Sequence, residues 1–227
     1  MAREFAKFVE DASAIATSGR WAAMNDRIVC LAAAPDPDNA WYVQLFGSLC
    51  SQIFSEYRSI ERAYQAEGQD DGPLIAWRAR NLLELSVWCK SFTSSRENAR
   101  RLYEDAGRDQ FDLISAFEEW GKQTTQPTSW TAPLSSAKQD LIQRAADEGN
   151  EPLDKAFRAV ANAAKACGNE THFRVGMKLL SKFAHPTAMQ ILGVTDEATA
   201  QNQKDIFFAV GCGYFITAFA TLESHKF

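Results

Sequence analysis

The chain has 227 residues, 46% of them hydrophobic and 23% charged, with a net charge of −5 at pH 7. That is long enough for a real hydrophobic core, in one domain or two, and the balance is that of an ordinary soluble globular protein. The acidic total argues against a generic nucleic-acid binder, whose domain is strongly basic, though it leaves room for a local basic groove.

The five cysteines (Cys30, Cys50, Cys89, Cys167 and Cys212) are odd in number, scattered, and form no C-x-x-C. They read as reduced core thiols of a cytoplasmic protein. The N-terminus has an early acidic residue and no apolar stretch, so no signal peptide is expected.

Nearly every segment follows the helical period. Phe5, Phe8, Ala12 and Ile15 mark the apolar face of a first helix, and Trp21, Met24, Ile28 and Leu31 that of a second. Pro35 and Pro37 interrupt. A long helix is expected over about 39–66, with Tyr42, Phe46, Leu49, Ile53 and Ile60 on its inner stripe. A turn rich in Gly and Asp leads to Pro73, which suits the first position of a helix running to about Phe92. This helix is dense in large apolar groups and is expected to be central.

Ser94 and Glu97 fit a capping box. The helix they open carries Leu102, Tyr103, Ile114, Phe117 and Trp120, with a bend expected near Gly107. Residues 121–133 read as a loop, and 135–146 as a polar helix. A helix from Leu153 through Phe157, Val160 and Ala164 ends at Gly168, the left-handed cap position that glycine favours. Asn169 is placed to cap the next helix, and a short helix is expected between Pro186 and Leu192. The last helix starts near Asp196 and holds a low-polarity run from Ile206 to Leu222. At 17 residues the run sits at the edge of spanning length. Its small-residue line, Ala209, Gly213, Thr217 and Thr221, suits a buried helix or a dimer seam. The fold class is therefore all-α: one helical domain over 1–227, a bundle of about seven to nine helices, with 121–133 as its one candidate break.

The stretch from Thr171 to Pro186 separates into two faces. Phe173, Met177, Leu180 and Ala184 share one, while Arg174, Lys178, Ser181, Lys182 and His185 fall on the other. Pro186 ends the helix, because the residue before a proline is driven out of the helical region. His185 thus projects from a helix terminus. A histidine exchanges a proton near neutral pH, and adjacent lysines hold phosphate, so the row contains the parts of metal-independent phosphodiester cleavage. The alternative is a solvated helix face. On the dense helix, Arg80 and Glu84 are four residues apart and face each other. They serve either as an internal pair fixing helix register, or, with Asn81, as the wall of a polar pocket opposite the basic row.

Other chemistry is poorly supplied. With three histidines and no Glu-x-x-His or His-Glu-x-x-His, no metal site is expected. G-x-S-x-G, Walker A and G-x-G-x-x-G are all missing, and no cofactor is implied.

The Ser181-x-x-x-His185-Pro186 ending, with the upstream Arg80-x-x-x-Glu84 helix, resembles a group of helical bacterial proteins that is remotely similar to the HEPN superfamily (higher eukaryote and prokaryote nucleotide-binding domains). That resemblance implies an all-helical, often dimeric core. Active members are metal-independent RNases of toxin–antitoxin and phage-defence systems, with an Arg-x4–6-His motif near a helix end. Here Lys178 stands where that motif has arginine, and Arg174 lies too far from His185. Two readings follow. One is a non-catalytic binding or dimerisation module of a bacterial defence or regulatory system. The other is an RNase with His185 as general acid/base, Lys178 and Lys182 on the phosphate, and Ser181 orienting the histidine. Lys182, Arg174, Arg80, Asn81 and Glu84 are the candidate ligand contacts. The expected partners are a second copy, RNA or a nucleotide, and a regulatory protein, in the cytoplasm and without a membrane.

Overall fold

The structure, a computed structural model, describes residues 2–33, 37–66, 72–124, 128–154, 159–185 and 196–227. It is an all-α bundle. Among the described residues there are nine α-helices and no strand: α1 Ala2–Thr17, α2 Gly19–Ala32, α3 Ala40–Gln65, α4 Gly72–Ser94, α5 Arg96–Gln123, α6 Thr128–Asp147, α7 Val160–Ala166, α8 Glu170–Ala184 and α9 Glu197–Glu223. The expected short helix after Pro186 lies outside the described residues, as does Phe157.

By internal contacts the chain divides into two compact units, Met1–Arg96 with Val160–Phe227, and Glu97–Ala159. In the first, α4 and α9 form the centre. α4 packs on α3, α7, α8 and α9, and α9 also packs on α1 and α3. Both are apolar nearly all round because each has neighbours on several sides. Aromatic stacking fixes α3 against α9: Tyr57 lies 4.3 Å from Phe215 and Tyr64 lies 4.0 Å from Phe208, centroid to centroid. Gly211 permits the closest approach, since a Cβ there would come within 2.5 Å of Ile60 Cδ1. α9 is long and apolar enough to cross a membrane by length and composition, and 56% of that window is buried inside the fold. Of its small-residue line, Ala209 is buried and Gly213 faces Phe8 of α1, so this part lies within the chain's own packing.

The second unit is built from most of α5, α6 and the turn at 151–154. Leu141, Ala145 and Leu153 form its core, with Phe111 and Ile114 against them. Here the structure departs from the sequence reading at the expected loop. The loop expected over 121–133 is helical at both ends, since α5 continues to Gln123 and α6 begins at Thr128. Pro133 lies in the second turn of α6, where it has no N–H to give to the carbonyl of residue 129. α5 is continuous through Gly107, and at the end of α4 Ser94 donates to the Ser91 carbonyl at 2.7 Å. Along α5, Phe117 and Trp120 are 42% and 52% exposed, whereas Phe111 and Ile114 pack on the core of the unit.

Helix ends follow simple chemistry. Gly149 and Gly168 both have φ of +68°. In each case the amide after the glycine reaches back to close the helix, as in Asn169 N–H to the Ala164 carbonyl at 2.8 Å. Asp196 caps α9 by accepting from the Thr199 amide at 2.9 Å. Asn169 occupies the cap position of α8, but its side chain makes no capping bond.

The tail after α9 is pinned rather than frayed. Arg27 donates to the carbonyls of Glu223 and His225 and stacks on Phe46 and Phe227. The His225 ring lies among Tyr42, Phe92 and Phe227, with Nε2 2.9 Å from the Tyr42 hydroxyl. Burial, and then the Arg27 charge, holds the imidazole below its ordinary value of 6.5. The neutral ring is therefore the folded form. Its contribution is complete above pH ~6.5 and is lost as pH falls through the lower folded value. Melting temperature is accordingly expected to fall on acidification from about pH 7 to about pH 5, and less steeply in His225→Phe. Parallel slopes would show that the tail is not pH-linked.

Of the cysteines, Cys50, Cys89 and Cys212 are buried, and burial drives the Cys50 and Cys212 thiols up to about 12. All five are free thiols, but the core placement expected for all of them fails at Cys30, which is exposed on the outer side of α2, and at half-buried Cys167.

Candidate functional site

α8 turns its apolar face inward. Phe173, Gly176 and Leu180 are buried. Gly176 is required there, because a Cβ would lie 2.7 Å from the Tyr214 hydroxyl and 2.8 Å from Leu83 Cδ2. This close seating against α4 and α9 sets the height at which α8 ends. At His185 the backbone becomes extended, with φ −122° and ψ 150°. The ring leaves the line of the helix and meets α4.

There the structure brings together residues far apart in the chain. Arg80 Nη1 lies 2.6 Å from His185 Nε2, and Arg80 Nε donates to Glu84 Oε1 at 3.1 Å. A guanidinium only donates, so Nε2 is the acceptor and the ring proton resides on Nδ1. The Arg80 and Glu84 side chains are 25% and 29% exposed, and His185 faces solvent. The carboxylate aligns the guanidinium, and the guanidinium aligns the ring.

The remaining candidates divide. Arg174, Lys178 and Lys182 are exposed along the outer side of α8. Ser181 is half-buried and does not orient His185; Arg80 does, because the extended backbone carries the ring away from the preceding turn. Asn81 is half-buried one residue on from Arg80, roughly 100° round the helix, and is not part of the trio. His172 packs edge-on against Tyr214, 5.7 Å between ring centres.

Two cavities are defined by the described residues, and neither is lined by the trio. One cavity, of about 810 Å³, lies between α2 and α3 beside Arg96 and Phe227. Another, of about 390 Å³, lies in the 97–159 unit beside Phe111 and Leu153. Among the described residues no group of three or more His, Cys, Asp or Glu is placed to hold a metal.

The trio thus offers directed hydrogen-bond donors, the free N–H groups of Arg80 and the Nδ1–H of His185, on the same end of the bundle as a lysine row. Such a set recognises an anion with several oxygens. The chain matches no family model, and no curated protein or solved structure matches it.

Proposed function

We propose that the protein is a non-catalytic binding module that takes a phosphate-bearing ligand, RNA or a nucleotide, at the α8 end. The observation that carries this reading is the 2.6 Å contact between Arg80 and His185. A guanidinium N–H fills the acceptor nitrogen of the imidazole. The ring cannot take a proton through that nitrogen until the arginine is displaced, whereas both groups still present donors to solvent. Lys178 and Lys182 extend the positive field along the helix. A cytoplasmic homodimer in a bacterial defence or regulatory system is the setting this reading assigns, in line with the HEPN resemblance.

A second reading, metal-independent RNA cleavage, is favoured by one observation. The arginine missing from α8 is supplied to His185 by α4. A ligand phosphate that drew Arg80 away would free Nε2 to act as a base.

One experiment separates the readings. Labelled RNA is titrated at low salt, with EDTA, into wild type, Arg80→Ala, and Lys178→Ala/Lys182→Ala, while intact RNA is followed on a gel. Binding that weakens roughly tenfold in each variant, with the RNA uncut, is the expected result; tenfold corresponds to about 1.4 kcal/mol. Cleavage that disappears in folded His185→Ala would establish the second reading. Neither binding nor cleavage would overturn both.

A further inference from the structure

Trp77 lies on α4, the helix that carries Arg80 and Glu84, and it is 40% exposed. At about 100° per residue, it stands roughly 60° from Arg80 and roughly 20° from Glu84 around the helix axis, and within one turn of Arg80 along it. The largest exposed side chain of α4 is therefore a neighbour of the donor site, on the same rigid element and with no loop between them.

The indole is held in place. The Arg78 guanidinium lies over its ring, 4.6 Å from the centroid. Arg78 Nη1 in turn donates to both carboxylate oxygens of Glu56, at 3.0 and 3.1 Å, and Glu56 is buried on α3. One face of the ring is thus covered and tied to a second helix, and the exposed surface belongs to its other face and its rim. A fixed aromatic surface beside oriented N–H donors can take a flat, polarisable group on the ring while the donors hold an anion.

We infer that Trp77 is a stacking platform for an unpaired nucleobase whose phosphate is held by Arg80 and His185. The inference rests on the phosphate reading above and narrows it. The ligand is a single-stranded RNA or a free nucleotide, rather than a bare phosphate ion or a duplex. A bare phosphate has nothing to place on the indole. In a duplex each base is already stacked between its neighbours and cannot lie on a protein ring. Stacking uses the π-face that every base has, so little preference among the four bases is expected.

The test uses the full chain, at low salt with EDTA, and three fluorescein-labelled RNAs of roughly twelve nucleotides, within the length one binding surface covers. One is an unstructured strand, one the same strand paired with its complement, and one an abasic strand. Anisotropy should show the unstructured strand binding tighter than the other two by about tenfold or more. Trp77→Leu should remove that advantage, with abasic binding, the dependence on salt and the circular dichroism unchanged. Trp77→Phe should keep most of it, because a ring remains. Arg80→Ala should instead weaken all three RNAs and flatten the salt dependence. Adenosine monophosphate that competes with the strand, where ribose 5-phosphate does not, supports a free nucleotide as the source; competition by unlabelled strand alone supports RNA. An abasic strand bound as tightly as the unstructured one, or Trp77→Leu binding as wild type does, would overturn the platform and leave the phosphate reading standing. Binding of none of the three RNAs and of neither small competitor would overturn both. Sedimentation showing a dimer that Trp77→Leu disperses would also overturn the platform, because the indole would then be covered by a second copy.

Discussion

Arg108→Ala is expected to destabilise the 97–159 unit by about 3–5 kcal/mol, the cost of removing one partner from a buried ion pair. Arg108 and Asp105 are 5% and 7% exposed. Arg108 Nη1 donates to Asp105 Oδ1 at 2.6 Å, and Nη2 reaches Glu151 at 3.3 Å and Glu104 at 3.8 Å. Glu104 keeps a second cation, since Arg100 Nε donates to it at 3.1 Å. Asp105 does not, and its Oδ2 is already buried without a hydrogen-bond partner. The variant therefore leaves a desolvated carboxylate with nothing to offset it, which outweighs the attraction lost. Replacing both partners, Arg108→Met with Asp105→Leu, should recover most of the loss, because a buried pair replaced by apolar groups of similar volume is often neutral. Denaturant unfolding, with hydrogen exchange on the α5 amides, measures both. A loss below about 1 kcal/mol in the single variant would mean that water reaches Asp105.

That pair is also something the sequence does not show. Among the apolar residues of α5, Ile114 packs on the core while Phe117 and Trp120 are exposed, and the buried pair Asp105 and Arg108 is one that no hydrophobic pattern reveals. The body of α6 was legible as the polar helix over 135–146, but its start was hidden because its first turns are built from Thr, Ser and Pro. The long helices α3, α4 and α9 were legible, because large apolar residues recur over many turns and packing agrees with propensity. The same holds for the candidate site in part. Pro186 announces the end of α8, and the four-residue spacing announces Arg80 with Glu84. The contact that joins them crosses 105 residues of chain, and depends on Gly176 letting α8 settle against Leu83 and Tyr214. His225 was equally hidden, since only the fold brings Arg27 and Tyr42 to it.

Phe215→Ala is expected to cost about 3–5 kcal/mol, and its size bears on what α9 is for. Length and apolarity alone do not distinguish a core helix from a membrane span. Phe215 is 0% exposed and stacks on Tyr57 at 4.3 Å, with Phe219 6.1 Å away. Tyr57 is itself buried, and burial drives its hydroxyl well above the ordinary range. Truncation removes the ring's transfer free energy and leaves a cavity that two stacked aromatic layers cannot collapse to fill. In lipid the same ring would face acyl chains that close around an alanine, and the penalty would be small. Ile206→Ala, on the more exposed start of the same helix, serves as the comparison and should cost less than about 1 kcal/mol. A large loss at 215 beside a small one at 206, in protein purified without detergent, establishes α9 as the packed centre of the bundle. Similar small losses at both would point to lipid as the partner of α9, and the packing order of α1, α3 and α4 around it would need to be redrawn.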